Sequence, residues 1–167
     1  MEIVIEFLKY VIGSIQQLYA GDAGLVLIAA LLGSLVGLER ELAGKDPSLR
    51  TFSLICLGSC LFAVVSRESI VGVVGGDPSR IAAQVVTGIG FLGAGTIFRS
   101  KFGISGLTTA ALMWVTSAIG VAVGFGHVRL AVAATLTALI IIYILQFIHK
   151  FLRFLRPNLY KGENTYE

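Results

Sequence analysis

The stretch LAVAATLTALIIIYILQFI, residues 130–148, contains no charged side chain and includes the unbroken run Leu139, Ile140, Ile141 and Ile142. A segment this long and this apolar crosses a bilayer as a helix, because lipid offers no partner to a backbone N–H or C=O left unbonded within the segment. Four other stretches approach the same pattern, at 23–38, 51–66, 81–98 and 107–126. The first two are short, and the second holds several hydroxyl and thiol groups. Together they predict an all-α membrane protein, a bundle of about five transmembrane helices.

Composition excludes the soluble alternative. Of the 167 residues 56% are hydrophobic and 14% charged, against roughly 25% charged in a soluble domain, too few to clothe a water-facing surface. The net charge of +3 does not point to nucleic acid, since no loop carries a dense basic run interleaved with aromatics. Most of the 20 glycines sit inside apolar segments, as in helices packed backbone to backbone in lipid.

The flanks read differently from the spans. Over residues 1–20, Val4, Leu8, Val11, Ile12, Ile15, Leu18 and Tyr19 share one helical face opposite Glu2, Glu6 and Lys9, which predicts an interfacial helix. Acids ahead of the first lysine reverse the basic start of a signal peptide, so the segment is expected to be retained. Beyond the membrane domain at 21–149, Lys150, Arg153 and Arg156 recur among Phe151, Leu152, Phe154 and Leu155 until Pro157, a basic helix suited to anionic headgroups. The tail 150–167 is expected on the cytoplasmic side. With the N-terminus outside, Arg40, Lys45, Arg50, Arg99, Lys101, Lys150, Arg153, Arg156 and Lys161 gather inside, leaving Lys9, Arg67, Arg80 and Arg129 outside. Positive charge concentrates on the cytoplasmic face, so the expected topology is N-out, C-in.

Small residues mark candidate packing seams. Ala29, Gly33 and Gly37 repeat every fourth position, with Glu41 continuing the stripe. In the third span Ala83, Thr87, Gly90 and Ala94 form one smooth face and Gln84, Gly88 and Gly95 lie along another; the fourth span adds Ser117, Gly120 and Gly124. Such seams pair helices within one chain or between chains, and the needs of a five-span bundle favour the first. Cys56 and Cys60, a helical turn apart with no histidine nearby, read as small packing residues. Residues 88–93 formally match the glycine pattern of dinucleotide sites, but no strand precedes them and the position of the required acid falls near Met113, in lipid.

Three segments together closely resemble the MgtC/SapB family: GLERE (37–41) followed by LRT (49–51), DPSRIAAQVVTGIGFLGAG (77–95), and GLTTAA (106–111) with Trp114. The resemblance covers about 33–126, with Pro47-Ser48 standing where Ala-Gly is expected. It implies a bacterial inner-membrane protein linked to growth under magnesium limitation and, in some pathogens, to survival inside macrophages. It further implies action on other membrane machinery, notably the proton-translocating ATP synthase. Family members often carry a soluble C-terminal domain of ACT-like fold; here a short tail follows the last span, which reads as the membrane module alone. The matching motif positions are Glu39, Arg40, Glu41, Arg50, Thr51, Asp77, Arg80, Gln84, Gly88, Gly90, Gly93, Gly95, Thr108, Thr109 and Trp114.

Several of these positions admit two readings. Glu39, Arg40, Glu41 and Arg50 are either ordinary boundary charges that set topology or a charge-paired site closing the base of the first two helices or meeting a partner. Asp77 either caps the third span or, with Glu68, senses a hydrated divalent cation, magnesium needing only one or two carboxylates; it is the one weak metal candidate. Gln84, an amide inside a span, must find a partner or line a cavity. Trp114, Thr108, Thr109, Thr116 and Ser117 are expected to pack and to bond between helices. No catalytic arrangement and no cofactor site is legible, and neither His127 nor His149 acquires a role. Two functions remain: a regulatory module that binds other membrane proteins, and a transporter or channel for magnesium or another small ion. The expected partners are the bilayer, other membrane proteins and a second copy of the chain.

Overall fold

A computed structural model describes residues 5–7, 9, 21–101 and 103–155. The expected interfacial helix falls outside these residues except at 5–7 and 9, which are helical, and the tail beyond 155 also falls outside. Five long helices follow in order: α1 (Asp22–Leu42), α2 (Leu49–Glu68), α3 (Ser79–Gly95), α4 (Leu107–Gly124) and α5 (Val128–Leu155). A small antiparallel hairpin, β1 (Phe98–Ser100) and β2 (Gly103–Ser105), separates α3 from α4.

Four of these, α1, α2, α4 and α5, are long and apolar enough to cross a membrane. The third expected span is shorter than its apolar run. Its helix stops at Gly95, and Phe98 enters β1. Even so, α3 traverses the bundle: Ser66 at the end of α2 donates to the Pro78 carbonyl at its start, while Gly95 at its end lines a cavity with Glu41 and Arg50. At about 1.5 Å per residue its 17 residues reach about 25 Å. In contrast, α5 runs through the expected boundary at 149 as one helix of 28 residues, about 42 Å long, so the last span and the start of the basic segment are continuous.

The helices pack around α2 and α4. α2 lies between α1 and α4, α3 rests on α2 and α4, and α5 rests on α1 and α4. The reason lies in the seams. A Cβ on Gly33 would stand 2.6 Å from both Cys56 Cβ and the Phe52 carbonyl oxygen, and one on Gly37 2.6 Å from Leu49 Cα. From α4, a Cβ on Gly120 would run into the Cys56 carbonyl, and one on Gly124 would stand 2.5 Å from the Cys60 carbonyl oxygen. Glycines on both neighbours thus press against the α2 backbone. Cys56 and Cys60 are free and fully buried there, the packing role their size predicts.

Two apolar layers fill the bundle. One joins Ala29, Leu32, Cys56, Cys60, Ile119, Val123 and Ala131; the other joins Val36, Phe52, Ile89, Leu112, Met113 and Ile142. Outside them, Leu35, Leu54, Phe62, Phe91, Leu136, Ile140 and Ile144 stay exposed. Only 17% of the α5 span is buried in the bundle, so most of its surface suits hydrocarbon. An apolar surface this continuous matches lipid rather than water. α4 ends in a Schellman motif, with Gly126 at φ +82 donating to Val123 O and His127 N donating to Ala122 O at 2.8 Å, a left-handed position that glycine fills without strain.

Candidate functional site

Charge collects at the two ends of the bundle. At one end, Glu39 and Arg40 lie in the last turns of α1, yet both are buried, 4% and 5% exposed. Arg40 Nε donates to Glu39 Oε2 at 2.5 Å and Nη2 to Oε1 at 2.6 Å, a two-pronged geometry that matches a guanidinium to a carboxylate. Gln146 Nε2, from α5, donates to Glu39 Oε1 at 3.1 Å. Of the four charges grouped in the sequence, only Glu39 and Arg40 pair and are buried, and their third member, Gln146, comes from α5.

Glu41 and Arg50 occupy the same end on the surface. Glu41 Oε2 accepts from Leu49 N at 3.4 Å, helping to satisfy the exposed start of α2. Arg50 makes no ion pair or hydrogen bond among the described residues. With Asp46, Ser48, Thr51, Gly95 and Phe98 these side chains line an open cavity of about 1010 Å³.

The other end is tied by Arg67. Its Nη2 donates to Asp22 Oδ1, its Nε to Glu68 Oε1 at 3.1 Å, and its Nη1 to the Gly124 carbonyl at 3.1 Å. One guanidinium thereby joins the start of α1, the end of α2 and the end of α4. The two acids weighed together for a cation serve separately. Glu68 is engaged by Arg67, whereas Asp77 Oδ1, two residues ahead of α3, accepts from Ser79 N at 2.9 Å and Ser79 Oγ at 2.6 Å. Ser79 above all, its hydroxyl before its amide, and then Arg80 hold the Asp77 carboxyl below its ordinary value. A depressed pKa stabilises this turn at neutral pH, and that contribution is lost only as pH falls through the folded value. No group of three or more acids, histidines or cysteines placed to hold a metal occurs among the described residues.

The long central motif divides by face. A Cβ on Gly93 would stand 3.6 Å from Ala110 Cβ on α4, whereas one on Gly88, Gly90 or Gly95 would meet nothing within 4 Å. The expected seam through Ala83, Thr87, Gly90 and Ala94 is therefore not an intrachain contact; all four are exposed. Gln84 has no hydrogen bond among the described residues and lines a groove of about 660 Å³ between α2 and α3, the cavity-lining alternative for a span amide. Arg80 is exposed.

On α4, Thr109 is buried and Thr108 exposed, and Trp114 is 52% exposed, facing outward rather than packing inside. Of the hydroxyls expected to bond between helices, Ser117 meets Ser59 at 2.8 Å, while Thr116 Oγ1 is buried without a partner among the described residues.

Sequence reasoning passed over Arg67, Asp22 and Gln146. A short α1–α2 connection makes the two helices antiparallel, which places the start of one beside the end of the other, and the amide rule applied to Gln84 holds equally for Gln146.

A family model, the MgtC family, matches residues 26–151. The chain belongs to the MgtC family. Among curated relatives, "Putative magnesium transporter YhiD" of Escherichia coli K12 is 46% identical over 70% of this chain and 57% of its own length. "Protein MgtC" of Brucella abortus strain 2308 is 46% identical over 64% of this chain and 44% of its own. "Protein MgtC" of Salmonella typhimurium strain 14028s is 43% identical over 68% and 48%. The chain spans about half the length of the curated relatives it matches. No solved structure matches. The matched segment contains both layers of the core and the Glu39–Arg40 end, while Asp22 of the Arg67 tie lies just before it.

Proposed function

We propose that this chain is a non-catalytic membrane module linked to magnesium homeostasis, acting on other membrane proteins rather than carrying magnesium itself. The observation that carries this reading is the distribution of charge. Glu39 and Arg40 neutralise one another, Asp22, Arg67 and Glu68 form a tie at the opposite end, and α4, which touches every other helix, has no charged residue. Ion paths place ionisable groups near mid-membrane, whereas here glycine seams close the interior against the α2 backbone. The link to magnesium follows from the names of the relatives. The proposed setting is the bacterial inner membrane, N-out and C-in, and the proposed partner class includes the proton-translocating ATP synthase.

The test is magnesium flux into sealed proteoliposomes carrying a fluorescent indicator, with and without a membrane potential. No flux is expected, while changes at Arg50 or Arg80 impair growth of the host in low magnesium without loss of protein. Co-purification from native membranes under low magnesium identifies the partner. A transporter is the second reading, favoured by the name of the Escherichia coli relative and by an unpartnered Gln84 in a groove. Saturable flux abolished by Gln84→Ala would establish it in place of the regulatory module.

A further inference from the structure

The cavity at the Glu41 and Arg50 end and the groove between α2 and α3 share Thr51, Ile55 and Leu92 in their walls. They form one continuous channel on the bundle surface with two chemically different parts. The head carries Arg50 together with Glu41 and Asp46, two carboxylates and one guanidinium that feels the charge of Glu41 but makes no hydrogen bond or ion pair among the described residues. The remainder is mostly apolar, walled by Leu54, Phe62, Val85 and Ile89, with the Gln84 amide there lacking a hydrogen-bond partner among the described residues. It is open because glycine stands where side chains would fill it: a Cβ on Gly58 or Gly88 would meet nothing within 4 Å. The hydroxyls beneath, Ser59 and Ser117, bond each other at 2.8 Å and demand nothing from an occupant.

The length is informative. Thr51 and Phe62 mark the ends of the groove along α2, about 16 Å apart at 1.5 Å per residue. Half of a hydrocarbon core roughly 30 Å thick is about 15 Å. A charged head at the bundle end and an apolar trough one leaflet deep have the shape of a single membrane lipid. The charges select its class. An anionic headgroup would meet two carboxylates for one guanidinium, whereas a headgroup bearing both a phosphate and an ammonium complements all three.

We infer that this channel binds a zwitterionic aminophospholipid of the phosphatidylethanolamine class, with its phosphate on Arg50, its ammonium between Glu41 and Asp46, and an acyl chain along α2 and α3 past Gly58 and Gly88. The occupant links the α1–α2 connection to the central motif on α3.

Native mass spectrometry of the purified full chain, delipidated in detergent and offered equal amounts of phosphatidylethanolamine and phosphatidylglycerol, reads this directly. The expected result is retention of phosphatidylethanolamine over phosphatidylglycerol by about tenfold, one lipid per chain. Arg50→Gln should lower total retention, and Glu41→Gln combined with Asp46→Asn should reverse the preference. Gly58→Leu and Gly88→Leu should abolish retention while leaving the lipid-free melting temperature unchanged or raised, since leucine is the better helix former and has open space. Equal retention of the two lipids by the wild-type chain would overturn the headgroup assignment. Undiminished retention by a correctly folded Gly88→Leu would overturn the groove, and a dimer mass lost in that variant without loss of lipid would assign the groove to a second copy instead.

Discussion

Glu39 and Arg40 are adjacent in the chain and share one burial cost. Desolvating two charges is repaid only when the geometry is good and the remaining valences are bonded, which the two-pronged contact and the Gln146 amide accomplish. Arg40→Ala should therefore destabilise the fold by about 3–5 kcal/mol, because it strands a buried carboxylate. Glu39→Leu combined with Arg40→Met should cost much less than the sum of the single changes. Thermal unfolding in detergent across the four-membered cycle checks this, and additive losses would show that the pair does not act as a unit. Gly106 offers a sharper case. It begins α4 at φ +86, and a Cβ there would collide with the Thr96 carbonyl. Gly106→Ala should lose at least about 1–3 kcal/mol from backbone strain alone, read as a lower yield and melting temperature than for Gly95→Ala, which meets open space.

Among the helices, identical residue types do different jobs according to which way they point. Gly33 and Gly120 hold α1 and α4 against α2, so Gly33→Leu and Gly120→Leu should each sharply reduce folded protein, beyond the about 1–3 kcal/mol typical of overpacking, since backbone rather than side chain lies in the way. Gly90→Leu should leave the melting temperature of the single chain within error, because its Cβ points into open space. Fluorescence size-exclusion profiles after heating separate the two groups. A loss for Gly90→Leu equal to that for Gly33→Leu would mean that the outer face of α3 is covered in the folded state. Sequence spacing made all three glycines look alike, since a repeat of four residues marks a smooth stripe and says nothing about which helix it meets. The two seams against α2 were legible as seams. The openness of the α3 stripe depends on how that helix is rotated about its axis.

At the level of the whole bundle, connectivity fixes which loops share an end. If all five helices cross, the α1–α2 connection and the hairpin lie together, opposite the α2–α3 connection. Single cysteines in protein lacking Cys56 and Cys60 test this: Val74→Cys, at a fully exposed site, should react with an impermeant maleimide in intact cells, and Lys45→Cys and Lys101→Cys only after permeabilisation. Labelling of Lys101→Cys alongside Val74→Cys would mean that α3 enters the membrane without crossing it. Labelling of Lys45→Cys in place of Val74→Cys would invert the topology expected from positive charge.

Hydropathy, span length and the absence of charge within residues 130–148 are local properties, and they sufficed for membrane residence, for helices at all five apolar stretches and, through the motifs at 37–51, 77–95 and 106–114, for the family. The hairpin at 98–105 escaped because Phe98 continues an apolar run while β1 and β2 arise from pairing between Phe98 and Ser105 across a turn. Burial of Glu39 with Arg40, the Arg67 tie between three helices, and the channel joining Arg50 to Gly88 each depend on residues far apart in the chain meeting at a particular helix rotation. Such meetings are set by how closely glycine lets the backbones approach, a distance that only the assembled bundle determines.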